Sequence, residues 1–221
     1  MKRSIIFFVG LAGLSTGCTS EAFTNGGIVG SATGTTIDGM VTTDDSPNAC
    51  TALPSNLVST QNHSLVMDVT YKILDSTGSP HTQSYHTLIG PNSSVVLRST
   101  GTLDVCSGWV YVWTGSPPPI ILMPWVETMH VEGGAEGCDF AVHLDNTAGI
   151  LSTRMYYFAG TNAKAVTKPS HAKSAKITRG DQYIIGQAGE QLSSKPVPPG
   201  SAEKRLWNDM NDRAARAKKI P

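Results

Sequence analysis

Between Leu65 and Ile73 every second residue is large and apolar: Leu65, Met67, Val69, Tyr71 and Ile73. Successive side chains on a strand point to opposite faces, so this pattern lays one apolar face on a core. A helix of the same stretch would scatter these residues over two sides. The spacing predicts further strands at Tyr85 to Ile89, Ser94 to Arg98, Trp109 to Trp113, Val126 to Val131, Asp139 to Leu144 and Arg154 to Phe158. Turn residues separate them: Asp75-Ser76-Thr77-Gly78, Gly90-Pro91-Asn92, Thr114-Gly115 and Gly133-Gly134. Ten of the thirteen aromatic residues that follow Cys18 lie between Tyr71 and Phe158, which places the core there. Seven short strands in about a hundred residues predict one β-sandwich and disfavour an alternating α/β fold.

The phrase from Tyr71 to Leu97, a strand, a polar turn, a strand and a Gly-Pro-Asn-Ser-Ser turn into another strand, resembles immunoglobulin-like and fibronectin-type sandwiches. The resemblance implies architecture and no function. The expected organisation is mainly β: a single immunoglobulin-like/fibronectin-type β-sandwich over 57–160, behind a flexible tether at 18–56. A basic linker at 161–200 with a strand–turn unit follows, then a basic amphipathic helix at 201–221. The tether expectation rests on the Gly, Ser, Thr, Asn and Asp content of the segment before Asn56, which has few large apolar side chains.

Residues 1–17 have the order of an export signal. Lys2 and Arg3 precede an apolar run of ten residues, Ile5 to Leu14, which is too short to span a bilayer. Leu14-Ser15-Thr16-Gly17-Cys18 resembles the lipobox of bacterial lipoprotein precursors, with Ser15 where that family prefers leucine. The resemblance implies cleavage after Gly17, diacylation of Cys18, and a cell-envelope protein anchored by lipid. Several acyl chains on one residue hold a protein on a membrane stably, at roughly 0.8 kcal/mol per buried methylene. Thr19, where an aspartate would favour the inner membrane, implies the outer membrane, facing the periplasm.

The chain carries 17 Lys+Arg against 17 Asp+Glu. That balance conceals two unlike parts. From Thr19 to Ala163 three cations (Lys72, Arg98, Arg154) face twelve carboxylates, a charge of −9, whereas 164–221 carry +7. An acidic body with a basic tail suggests a tail that engages a partner, or one that folds back on its own body. The overall balance argues against a free nucleic-acid binder, which is basic throughout.

Export permits disulfides, and Cys50, Cys106 and Cys138 remain after Cys18. Of the three pairings, Cys106–Cys138 is favoured because both fall among predicted strands. His130, Glu132, His143 and Asp145 form two His-x-acid pairs; residues two apart share a strand face, so they are candidate metal ligands on chemistry alone. Their spacing matches no established motif, and no metal or cofactor is assigned. No catalytic signature such as GxSxG, HExxH or a P-loop occurs. Pro117-Pro118-Pro119 imposes an extended segment before the apolar run Ile120 to Met123, read either as an edge strand or as a docking loop.

The tail has two parts. Lys176 to Ile185 reads as a hairpin or strand–turn unit and contains Arg179-Gly180-Asp181. Ile177, Gly180, Asp181 and Tyr183, with Asn211 and the closing Ile220-Pro221, resemble the peptidoglycan-binding LysM module. Gly186-Gln187 and Pro196 to Pro199 depart from that module's pattern. After Pro198-Pro199-Gly200, Ser201 is placed to cap a helix. Leu206, Trp207, Met210, Ala214 and Ala217 share one face, with Lys204, Arg205, Arg213 and Arg216 around it. These residues are the candidate partner-binding surface. The resulting expectation is a non-enzymatic envelope lipoprotein that binds a protein partner. The alternatives are a peptidoglycan- or polyanion-binding lipoprotein and a metal-dependent hydrolase.

Overall fold

The computed structural model describes residues 28–40, 50, 57–74, 80–98, 102–113, 125–129, 131–136, 139–147, 150–159, 162–167, 174–177, 182–186 and 193–219. The first strands are β1 (Ile28–Met40), β2 (Leu57–Ser59), β3 (Ser64–Leu74), β4 (Pro80–Ile89), β5 (Ser94–Leu97), β6 (Leu103–Trp113) and β7 (Trp125–Glu127). Then come β8 (Val131–Glu136), β9 (Asp139–Thr147), β10 (Ile150–Ala159), β11 (Asn162–Thr167), β12 (Ser174–Ile177), β13 (Gln182–Gly186), β14 (Ser193–Pro196) and helix α1 (Ala202–Ala217). The protein is mainly β, and its strands curl into a sandwich-like fold with a C-terminal helix.

Strand β6 is the hinge of this architecture. Its first residues pair with β5 and β7, and Gly108 to Trp113 pair with β9. One layer, sheet I, therefore runs β1-β3-β4-β6-β9-β10-β13-β14. The other, sheet II, runs β2-β5-β6-β7-β8-β11-β12. The change of sheet is made by a bulge: Ser94 opposes Ser107 but Val95 opposes Val105, so Cys106 is the extra residue.

Gly108 follows with φ +70°, and a Cβ built there would lie 2.1 Å from Ser93 Oγ. That hydroxyl is itself occupied, accepting from Trp109 N at 3.0 Å. Both the left-handed backbone and the close approach require glycine. Gly108→Ala is expected to lower the unfolding free energy by about 3 kcal/mol, combining φ strain with overpacking. A urea midpoint unchanged from that of the parent protein would refute this.

Alternation sorts side chains between two cores. Met67, Val69, Tyr85, Ile89, Val110, Val112, Phe140, Val142, Met155 and Tyr157 of sheet I meet Val95, Leu97, Leu103, Val105 and Val126 of sheet II. Leu65 packs at the edge of this inner core. The predicted strand face is thus the inner one at Leu65, Met67 and Val69. The opposite face of sheet I is also covered: Val66, Leu88, Trp109, Tyr111, Ala141 and Tyr156 pack with Met210, Ala214 and Ala217 of α1.

Several expectations change. The disulfide joins Cys50 to Cys106, with Cα atoms 5.3 Å apart, in place of Cys106–Cys138. The bulge turns Cys106 out of the strand's regular alternation, to where the chain before β2 reaches it. The stretch expected as a linker at 161–200 contains β11 to β14, which extend both sheets. The hairpin or strand–turn unit expected at 176–185 yields two strands that do not pair as a hairpin: β12 pairs with β11 in sheet II, whereas β13 pairs with β10 and β14 in sheet I. Within the expected tether, β1 pairs in parallel with β3, with three register shifts. Cys18, Pro117 to Pro124, Cys138 and Arg179-Gly180-Asp181 lie outside the described residues.

Candidate functional site

Helix α1 and the sheet face under it gather the residues singled out in the tail. Pro198 and Pro199 stop β14 from continuing, and Ser201, with φ −68° and ψ 167°, caps the helix. Its Oγ accepts from Lys204 N at 3.0 Å, satisfying one of the free amides of the first turn. Glu203 in the first turn and Arg216 in the last both suit the helix dipole.

The apolar stripe faces inward. Met210 is fully buried against the sheet, and Leu206 and Trp207 are partly buried there. The Trp207 ring stacks on Phe158 at 4.9 Å, Phe158 meets Tyr111 at 4.8 Å, and Lys204 Nζ lies 3.9 Å over Trp207. Of the two options for this stripe, docking on the protein's own body is the one the fold adopts. Arg205 and Arg216 are exposed on the outer side of the helix, with Arg205 donating to Gly200 O at 2.9 Å.

Ion pairs fasten both ends of the helix. At the N-terminal end Arg154 on β10 bonds Asp145 on β9 and reaches Glu203 at 3.4 Å. At the C-terminal end Lys218 bonds Asp139, which also accepts from Tyr111 Oη at 3.1 Å. Between them Arg213 is held by both oxygens of Asp209, at 2.9 and 2.8 Å, and donates to Ser64 Oγ at 3.3 Å. The Glu203 backbone amide holds its carboxyl below the usual range, helped by Ser201 and Arg154 against partial desolvation and Asp145.

His143 stands opposite Arg154 on one side and Trp109 on the other. Burial lowers its pKa from 6.5 to about 4, with Arg154 adding to the shift and Asp145 opposing it. The imidazole is therefore neutral in the folded protein at pH 7. Between pH 6.5 and 4 the unfolded chain binds a proton that the folded one refuses, so stability falls towards acid across that window. The full loss is expected to be about 3 kcal/mol. Urea unfolding at pH 7, 5.5 and 4.5 measures it, and His143→Gln should flatten the slope. An unaltered slope in that variant would refute the assignment.

The remaining candidate ligands are dispersed. Glu132 lies on β8 of sheet II, opposite Glu127 and Val166, while His143 and Asp145 lie on β9 of sheet I. His130 lies outside the described residues. Among the described residues no group of three His, Cys, Asp or Glu side chains is placed to hold a metal ion.

Sequence reasoning missed a second charged cluster, in sheet II. Arg98 Nε donates to Asp104 Oδ2 at 2.8 Å, and its Nη2 lies 3.5 Å from Glu127 Oε2. Their side chains are 8%, 0% and 1% exposed. The signal available was scarcity: the acidic body holds only two arginines, Arg98 and Arg154, and each is set between two carboxylates.

No protein-family model and no curated protein matches the chain. Two crystal structures of a "putative anti-sigma factor" from Parabacteroides distasonis ATCC 8503 are similar to it, with a TM-score of 0.42 and 8% identity. The match covers 63% of this chain and 59% of that one, so the chain spans less than two thirds of its structural neighbour.

Proposed function

We propose that this protein is an exported lipoprotein, anchored in a bacterial outer membrane through lipid on Cys18 and facing the periplasm. It presents the sandwich as a non-enzymatic, partner-binding component of an envelope assembly. The order of cations, short apolar run and lipobox-like Leu14 to Cys18 carries the reading. The Cys50–Cys106 bridge supports it, because such bonds persist in oxidising compartments and are rare in the cytosol.

The polar side of α1 favours a second reading. With Met210, Ala214 and Ala217 committed to the sheet, the helix offers outward Arg205 and Arg216, and Lys219 follows just beyond its C-cap. Exposed cations of this kind suit a polyanion such as peptidoglycan better than an apolar groove. Pull-down with isolated peptidoglycan, weakened in an Arg205→Ala, Arg216→Ala, Lys219→Ala variant, would support that reading over a protein partner.

Cys18→Ser tests the anchor. The variant is expected to lose metabolic labelling by palmitate and to leave the membrane fraction. A variant that stays membrane-bound and labelled as before would refute lipidation at Cys18.

A further inference from the structure

We infer that β1 is an exchangeable strand: the segment 28–40 of one copy leaves its own β3 and completes sheet I of a second copy, which returns its own β1 in a reciprocal dimer. This inference does not depend on the membrane anchor.

Strand β1 is poorly matched to the edge it covers. Seven of its thirteen residues oppose a residue of β3, and three register shifts interrupt them. Each shift contains one glycine: Gly30 between Ile28 and Ser31, Gly34 between Ala32 and Thr35, and Gly39 between Ile37 and Met40. Glycine inside a strand weakens it and marks places where extra residues bulge from the ladder. Strand β4, on the other side of β3, shows what a matched partner looks like. Its ten pairs run without a shift, from Leu65 opposite Ile89 to Leu74 opposite Pro80. The pairing of β1 is also parallel, whereas the other described pairings of sheet I are antiparallel. Parallel ladders are slightly weaker per residue. Release of β1 is therefore easier than release of any inner strand.

The edge that β1 leaves behind calls for another strand. Strand β3 is eleven residues long, contains no proline, and sets Met67 and Val69 in the inner core. Long, regular edges of this kind pair with another chain unless charge, proline or a bulge blunts them. Asp68 and Lys72 are its two charged residues, and Asp68 is engaged by His86 on β4 at 2.6 Å. Every copy of the chain carries a strand whose register on this edge is already set. Exchange reproduces each backbone pair across two chains, so no pairing of the monomer is forfeited and no bare edge remains on this side.

The Cys50–Cys106 bridge decides which part of the chain moves. Cys50 is tied to the bulge of β6, so the body from Cys50 onward stays closed when β1 lifts. Nine residues, 41–49, separate Met40 from Cys50. Fully extended, a segment of that length reaches about 30 Å, enough to carry β1 onto the β3 of a neighbouring copy.

The test uses the full chain carrying Thr36→Cys and Thr70→Cys, two positions opposite one another in the register. Unlabelled and heavy-isotope-labelled copies are mixed in equal amounts at high concentration, then mildly oxidised. Mass spectrometry then weighs the peptides that join position 36 to position 70. Reciprocal exchange predicts that about half of them pair a labelled strand with an unlabelled one. Joined peptides of a single label only would overturn the proposal. Should the cysteine pair prevent folding, a synthetic fluorescent peptide of sequence 28–40 serves with the unmodified protein. The protein should take up the peptide mole for mole, and excess peptide should convert its dimer to monomer on a sizing column. A dimer that excess peptide leaves intact would overturn the exchange of β1. Peptide uptake by a protein that never dimerises would overturn the second copy as the occupant.

Discussion

Replacing Arg98 with methionine is expected to lower the unfolding free energy by about 4 kcal/mol at pH 7. The guanidinium is bonded to Asp104 and lies near Glu127, and both carboxylates are almost wholly buried. Methionine fills much of the same volume but removes the cation, leaving two negative charges in a poorly polarisable interior. Removing one member of a buried pair is far more damaging than replacing all members by apolar groups. The triple replacement Arg98→Met, Asp104→Leu and Glu127→Leu should therefore recover most of the lost stability. Guanidinium unfolding of the three proteins measures all of this. A deficit below about 1 kcal/mol for Arg98→Met, the range of exposed ion pairs, would show that the cluster is not a buried one.

The sites that sequence reasoning found and missed differ in what they depend on. Alternation is local, so β3, β4, β5, β9 and β10 were legible, and so was α1 with Ser201 as its cap. Strand β6 was legible only from Trp109 onward. Its first half, with Asp104, Cys106, Ser107 and Gly108, has no clean alternation because the bulge resets the phase. The same bulge hid the disulfide, since Cys106 is presented at a point where the strand changes sheets. The stretch 161–200 reads as a linker with one strand–turn unit for a different reason. The outermost strands β12 and β14 need backbone partners more than apolar side chains, and Ser174–Ile177 and Ser193–Pro196 carry few of them.

The face beneath α1 was half legible. The helical stripe was evident, but its docking partner was divided among β3, β4, β6, β9 and β10, so no single segment announces it. The doubly buried strands give the clue in retrospect. Trp109, Tyr111 and Trp113 alternate with Val110 and Val112, so β6 is apolar on both faces. A strand with that composition must be covered on each side. The buried charges were illegible because charge counts ignore geometry: Arg98 and Asp104 are six residues apart, but Glu127 arrives on a different strand.

Breaking the Cys50–Cys106 bridge by the double change Cys50→Ser and Cys106→Ser is expected to lower the unfolding free energy by about 4 kcal/mol. The bond closes a loop with a sequence separation of 56 residues. On the chain-entropy account, such a loop removes a large set of unfolded conformations, and the effect grows only slowly with loop length. The position of the bond matters as much as its length. Cys106 is the extra residue of the bulge where β6 leaves sheet II for sheet I, so the bridge ties the chain before β2 to the hinge of the sandwich. Stability should fall in the same measure when the wild-type protein is reduced, and the serine variant should no longer respond to reductant. Peptide mapping without reduction supplies the decisive check, because it should recover Cys50 crosslinked to Cys106. Recovery of Cys106 crosslinked to Cys138 would overturn both the pairing and the stability argument built on it.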